Sequence, residues 1–189
     1  MFDCVIVGGG VAGLYTALHL PSSWKIAILC KGEIHECNTY YAQGGVTTAR
    51  NSEDIPLHIQ DTLSAGCFYG NQDAIQLLSQ QSLAVIRDLI QRGMPFDCDE
   101  QGNLVYTKEA AHSTERILHA QGDATGKILH QFLLSRTQAT LIPHSRIVDW
   151  EIQDGRCLGL YIQKGGYAEF LPTQRVVLAS GGVGALYAY

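Results

Sequence analysis

Apolar residues along this chain fall into two periods. Short β-branched runs at residues 2–7 and 25–29 read as buried parallel strands, apolar on both faces rather than alternating. Between them, residues 14–20 read as a helix stopped by Pro21. Helical spacing returns over residues 54–64 and 73–91, where Ile75, Leu78, Val85, Ile86 and Leu89 make an apolar stripe expected to face the core. Residues 31–52 have little periodicity and read as a loop, and a loop of that length is usually functional or disordered. Residues 94–108 carry Pro95, Gly102 and Asn103 and read as a turn between short strands. A helix is predicted from residue 122 towards Gln138, with Ile128, Leu129, Phe132 and Leu133 on one face and Asp123 or Thr125 as its N-cap. Strand-like runs follow at 140–142, 147–153, 157–163 and 175–179, and Asp154-Gly155 signals a hairpin between two of them.

Strand, turn, helix and strand come in that order within about thirty residues, which predicts a Rossmann-like α/β fold. The later hairpin adds an antiparallel β segment to the parallel sheet. Hydrophobic residues make up 46% and charged residues 16%, so a packed core is expected and disorder is not. No Asp, Glu, Lys or Arg occurs from Cys4 to Trp24, long enough for a membrane span. Gly8, Gly9 and Gly10 at its heart suit a membrane helix poorly, and no basic residue precedes it as a signal peptide requires.

The glycines have a better use. Gly8, Gly10 and Gly13 fit GxGxxG, placed between the first strand and the first helix. Gly8 permits the tight turn, Gly10 lets backbone approach a pyrophosphate, and Gly13 lets helix and strand pack closely. N–H groups at the helix start face the phosphates. The second strand, however, ends Leu29-Cys30-Lys31-Gly32-Glu33, with Cys30 where a ribose-binding acid is expected. Glu33 can substitute for that acid, or Lys31 can face a phosphate or the ribose. In the following loop, Asn38, Thr39, Tyr40, Tyr41, Ala42, Gln43, Gly44 and Gly45 suit backbone contact with a planar or phosphorylated ligand, or simply a loop packed on its own domain. A second glycine turn, from Ser180 to Gly184, follows the last strand.

Ionisable residues crowd from Thr107 to His119, including Lys108, Glu109, His112 and Arg116. Such a patch binds an anionic or zwitterionic substrate, or it is a solvated face. His112 and His119 have no third partner at zinc spacing, so no metal site is expected. The six cysteines form no C-x-x-C pair and read as reduced thiols, mostly small buried hydrophobes in a reducing, cytoplasmic setting. A net charge of −5 with scattered Lys and Arg argues against nucleic acid and a membrane surface as partners.

Four segments together, VIVGGGVAGLYTAL, CKGEIHECNTYYAQGGV, TKEAAHSTERILHAQGDATGK and VVLASGG, resemble the L-aspartate oxidases, a branch of the succinate dehydrogenase and fumarate reductase flavoprotein family. The resemblance extends over essentially all 189 residues, and AQGG and RILHAxxDATG are its most specific parts. It implies that residues 1–189 are the N-terminal part of a Rossmann-like FAD-binding domain, without its C-terminal return or capping domain, and the ending at Tyr189 reads as cut. It implies non-covalent FAD, with Gly9, Gly10, Val11 and Ala12 at the pyrophosphate, Lys31 on the adenosine side, and Asn38 to Gly45 at the flavin and its phosphates. It implies oxidation of L-aspartate to iminoaspartate, reoxidation by oxygen or fumarate, and quinolinate synthase as the next enzyme towards NAD. Glu109 stands where the family orients the substrate, and a carboxylate there stabilises a bound ammonium group. Membrane-complex relatives carry FAD on a His before AQGG; here that residue is Asn38, which is no such nucleophile. The family's proton-transferring Arg and substrate-binding His residues would lie beyond Tyr189, so the 189 residues alone are expected to be inactive. The other readings are a non-catalytic dinucleotide-binding module, a fumarate reductase-like or succinate dehydrogenase-like flavoprotein and, least favoured, a plain NAD dehydrogenase.

Overall fold

The computed structural model describes residues 1–183. Gly184 of the second glycine turn and the chain end from Ala185 to Tyr189 lie outside the described residues. The elements are β1 (Cys4–Val7), α1 (Val11–His19), β2 (Ile26–Leu29), α2 (Asn38–Tyr41), β3 (Val46–Thr47), α3 (Ile55–Ala65), α4 (Gln72–Gln91), β4 (Tyr106–Thr107) and β5 (Ile117–Leu118). A 3-10 turn at Gly122–Ala124 leads into α5 (Thr125–Arg136), followed by β6 (Thr140–Ile142), β7 (Arg146–Gln153), β8 (Arg156–Lys164), β9 (Tyr167–Pro172) and β10 (Val176–Leu178). They fall into two units, one of Met1–Tyr41 with the chain from Leu129 onward, the other of Ala42–Ile128.

The first unit holds the predicted parallel sheet, in the order β10-β1-β2-β6. Its central strands are apolar on both faces because both are covered. Val5, Ile6, Ala27 and Ile28 have no exposed surface. Ile6 faces Gly13 of α1. Val5, Ala27 and Leu29 pack on Leu160, Ile162 and Leu171 of a second sheet, β7-β8-β9, which is antiparallel. Burying each of the larger of these side chains contributes about 1.5–3 kcal/mol. The predicted hairpin turn at Asp154 and Gly155 has positive φ at both residues, 50° and 73°, the twist that suits a tight antiparallel turn. β9 is an addition to the predicted strands. Gly165 and Gly166, also at positive φ, turn the chain back into it.

The second unit packs α3 on α4 and carries a small antiparallel sheet, β3-β5-β4. The Asn71 side chain caps α4 by accepting from the Ala74 N–H at 3.0 Å. The stripe expected on α4 is rotated. Ser79, Ser82, Ile86 and Leu89 are buried, whereas Leu78 and Val85 are exposed. Ser82 sits inward because its hydroxyl accepts from the Ala49 N–H at 3.0 Å and donates to the Ser79 carbonyl. Thr125 is the first residue of α5 rather than its cap. Its hydroxyl ties the preceding turn instead, accepting from Ala120 and donating to the Gly122 carbonyl. All six cysteines are free thiols, and Cys67 and Cys98 are exposed, against the expectation of burial. Among the described residues, no helix is long and apolar enough to cross a membrane.

Candidate functional site

The glycine turn in the first unit is built as its spacing implies, with one shift. Helix α1 begins at Val11, not Leu14, so Gly13 lies inside its first turn. A side chain at Gly13 would collide with the Gly8 carbonyl, and one at Gly8 with the Ala179 carbonyl. Gly8 also needs its φ of 113°. The Ala179 N–H donates to the Val7 carbonyl at 2.8 Å, so the second glycine turn begins beside the first. At Gly181 and Gly182 an added Cβ would meet nothing within 4 Å, which leaves that backbone approachable.

The start of α1 is open. Its N-cap Gly10 brings no side-chain cap, its first turn has no acid, and Val11 and Ala12 are exposed. Its Val11 N–H is met by the Thr39 hydroxyl at 2.9 Å. Thr39 stands on α2, the single turn formed by Asn38, Thr39, Tyr40 and Tyr41 inside the predicted loop. Tyr40 packs edge-on against the buried His130 of α5, with ring centroids 5.6 Å apart. His130 Nε2 lies 3.0 Å from the Gly9 carbonyl oxygen. These residues fit a dinucleotide: a helix N-terminus without an anion of its own, bare glycine backbone, and a hydroxyl already on its first N–H.

At the end of β2, Lys31 is exposed. Glu33 is paired with His144 at 2.8 Å, and its N–H donates to the Glu36 carboxylate at 2.9 Å. The Glu33 carboxylate is thus already engaged, in a turn that Glu36 closes. Cys30 takes the place of the expected acid as a buried thiol, pushed up to about 11 by burial first and then by Cys37.

Ala42, Gln43, Gly44 and Gly45 belong to the second unit. The Ala42 carbonyl accepts from the Gly126 N–H at 2.9 Å, which joins the AQGG and DATG segments. Gly45, at a φ of 82°, packs against Ile117 and Leu118 of β5, while Gly44 meets nothing within 4 Å. Glu109 is exposed on the hairpin between β4 and β5.

Beneath that hairpin lies an ionic cluster. Arg116 has no exposed side-chain surface and pairs with Asp54 at 2.6 Å and with Asp61. Asp61 also accepts from the N–H and hydroxyl of Ser113, each at 2.7 Å. Burial pushes the Asp61 carboxyl up, but the Ser113 and Arg116 bonds outweigh it and bring it down to about 2. Asp54 is lowered in the same way: burial raises it, and Arg116 more than offsets that. Arg116 donates to His112 Nδ1 at 3.3 Å, so that nitrogen is the unprotonated one, and His112 Nε2 lies 3.4 Å from the Thr47 hydroxyl. His58, buried beside them, is held below its ordinary value by burial and then by the Arg116 charge. A cavity of about 360 Å³ opens here, lined in part by Thr47, His58, Asp61, Ala110, Ala111 and His112. The patch from Thr107 to His119 is therefore neither simply a substrate surface nor a solvated face. Its Arg116 is an interior cation that pins the hairpin on which Glu109 stands.

A family described as FAD binding domain matches residues 3–189. The chain belongs to that family. As an FAD-binding domain it is 40% identical over 189 residues to the L-aspartate oxidase of Clostridium acetobutylicum, covering 98% of this chain and 43% of that protein. It is 37% identical over 186 residues to the L-aspartate oxidase of Bacillus subtilis, covering 96% and 35%. The chain thus spans less than half the length of these relatives. In solved structures its fold matches E. coli quinol fumarate reductase, with a TM-score of 0.88 at 25% identity over 100% of this chain and 34% of that one. The parallel sheet, the glycine-turn start and the antiparallel addition are those of an FAD-binding domain.

Sequence reasoning missed the Asp54–Asp61–Arg116 cluster and the roles of His58 and His130. One signal was present. Arg116 directly precedes the buried pair Ile117 and Leu118, a position where a solvated arginine is out of place.

Proposed function

We propose that this chain is the N-terminal part of an FAD-dependent L-aspartate oxidase, which converts L-aspartate to iminoaspartate. The observation that carries this reading is 35–40% identity to L-aspartate oxidases over nearly the whole chain. Bound FAD supplies the hydride acceptor for the Cα–H of aspartate. The residues of this chain bind and orient. Gly8, Gly9, Gly10, Val11, Ala12 and Gly13 receive the pyrophosphate at the open start of α1, and Lys31 takes the adenosine side. Asn38, Thr39, Tyr40, Tyr41, Ala42, Gln43, Gly44 and Gly45 take the flavin and its phosphates.

Glu109 holds the substrate ammonium group. Its hairpin is fixed from beneath, because Ser113 is tied to Asp61 and Asp61 to Arg116. A charge-assisted bond of this kind contributes about 1.5–3 kcal/mol, so Glu109→Gln should raise KM for L-aspartate about 10- to 100-fold and leave the flavin spectrum unchanged. Steady-state oxygen uptake by the complete protein tests this. Turnover of succinate, or indifference of KM to Glu109→Gln, would point instead to the fumarate reductase-like reading that the fold match keeps open. Asn38 offers no nucleophile to the flavin, so acid should release all of the yellow colour into solution; colour in the pellet would contradict that assignment.

For the 189 residues alone no turnover is expected. Oxygen or fumarate reoxidises the flavin, and iminoaspartate passes to quinolinate synthase on the route to NAD. The reading places the protein in the cytoplasm, in line with six free thiols.

A further inference from the structure

His130 is out of reach of any motif in the sequence, yet it joins the two elements at the open start of α1. It is buried on α5, 121 positions from Gly9 along the chain. Its Nε2 meets the Gly9 carbonyl oxygen at 3.0 Å. A carbonyl only accepts, so Nε2 carries the proton and the neutral ring leaves Nδ1 bare. Nδ1 has no exposed surface and no partner at full hydrogen-bond geometry, the Ile34 backbone being the other polar group beside the ring. The other face of the contact is Tyr40 of α2, edge-on to the imidazole, and Tyr40 in turn stacks at a tilt against His35. Burial outweighs the opposing backbone bonds to Gly9 and Ile34 and, with the nearby His35, holds His130 below its ordinary value.

The consequence follows from peptide geometry. In a trans peptide the carbonyl and the following N–H point in opposite directions. Anchoring the Gly9 carbonyl to His130 therefore turns the Gly10 N–H the other way, away from α5. The side chains of Val11 and Ala12, next in the chain, are exposed. Gly9 has no side chain to hold its own peptide plane, and the peptide could otherwise flip at low cost. We infer that His130 is a positioning residue for the cofactor: its Nε2–H fixes the Gly9–Gly10 peptide so that the Gly10 N–H is presented to the FAD pyrophosphate, and its ring seats Tyr40 so that Thr39 stays on the Val11 N–H. This rests on the FAD reading of the glycine turn and is independent of the substrate.

The test is FAD affinity, read by quenching of flavin fluorescence in the apo form of the complete protein, for wild type, His130→Leu and His130→Gln. A glutamine side-chain amide reaches about as far as Nε2 and can donate in its place, whereas leucine only fills the space. Losing one positioned hydrogen bond corresponds to about a tenfold change in Kd. His130→Leu should weaken FAD binding about tenfold or more, and His130→Gln should stay within about threefold of wild type. Equal affinity for His130→Leu and wild type would overturn the inference, as would a glutamine variant as weak as the leucine one. If His130→Leu does not fold, shown by loss of its cooperative melt, His130→Gln decides alone: retained affinity supports the role and lost affinity in a folded protein overturns it. A wild type that takes up no FAD would overturn the cofactor reading itself, a result distinct from the others.

Discussion

Burying the Arg116 guanidinium costs several kcal/mol of hydration, which Asp54 and Asp61 offset only as a pair. Removing the cation would leave two carboxylates in a site with little water. Arg116→Met should therefore destabilise the protein by about 3–5 kcal/mol, read as a loss of denaturation midpoint. The sign of the pH dependence follows from the lowered carboxyls. Asp61 titrates near 2 in the folded state, against a usual 3.8. The unfolded chain therefore binds more protons between those values, and the cluster's contribution is complete above pH 3.8 and lost as pH falls towards 2. In Arg116→Met the carboxyls are no longer held down, so this acid-dependent loss should shrink or vanish, and stability should fall less between pH 3.8 and 2 than in wild type. An acid limb identical to wild type would contradict the cluster's role. None of this was legible at the level of residue type. The segment from Thr107 to His119 reads as an ionisable patch, and only tertiary packing decides that one of its charges goes inside.

At the scale of elements, the turn from β1 into α1 was the most legible part of the chain, because each of its constraints falls on backbone. Gly8 needs a φ that other residues rarely adopt, and Gly8 and Gly13 each sit against a carbonyl. Gly8→Ala should cost roughly 2–4 kcal/mol from backbone strain and displacement of Ala179, and should abolish FAD retention on gel filtration. A variant that keeps both its flavin and its melting temperature would show that this turn does not do what its spacing implies. The hairpin at Asp154-Gly155 was legible for the same reason. The side-chain-driven features were less so. The α4 stripe reads correctly at Ile86 and Leu89 but fails at Leu78 and Val85, because the buried face is taken by Ser79 and by Ser82, whose hydroxyl is satisfied by the Ala49 N–H and the Ser79 carbonyl. The one-turn helix α2 is too short for any periodicity to register, and β9 lacks an alternating apolar pattern, with only Leu171 buried.

For the molecule as a whole, two kinds of information converge on one assignment. Backbone chemistry in the first unit suits a pyrophosphate, and the second unit carries a carboxylate on a pinned hairpin. The family and its relatives supply the flavin and the oxidase reading. What decides between an amino-acid oxidase and a dicarboxylate reductase is the charge presented to the substrate. In the proposed reading Glu109 meets the ammonium group that L-aspartate carries and succinate lacks, the two carboxylates being common to both. The most direct test is to mix the complete, FAD-loaded protein anaerobically with L-aspartate or with succinate and follow the oxidised-flavin absorbance. Bleaching by L-aspartate alone is the predicted result. Bleaching by succinate, or an unchanged spectrum with L-aspartate, would contradict the assignment.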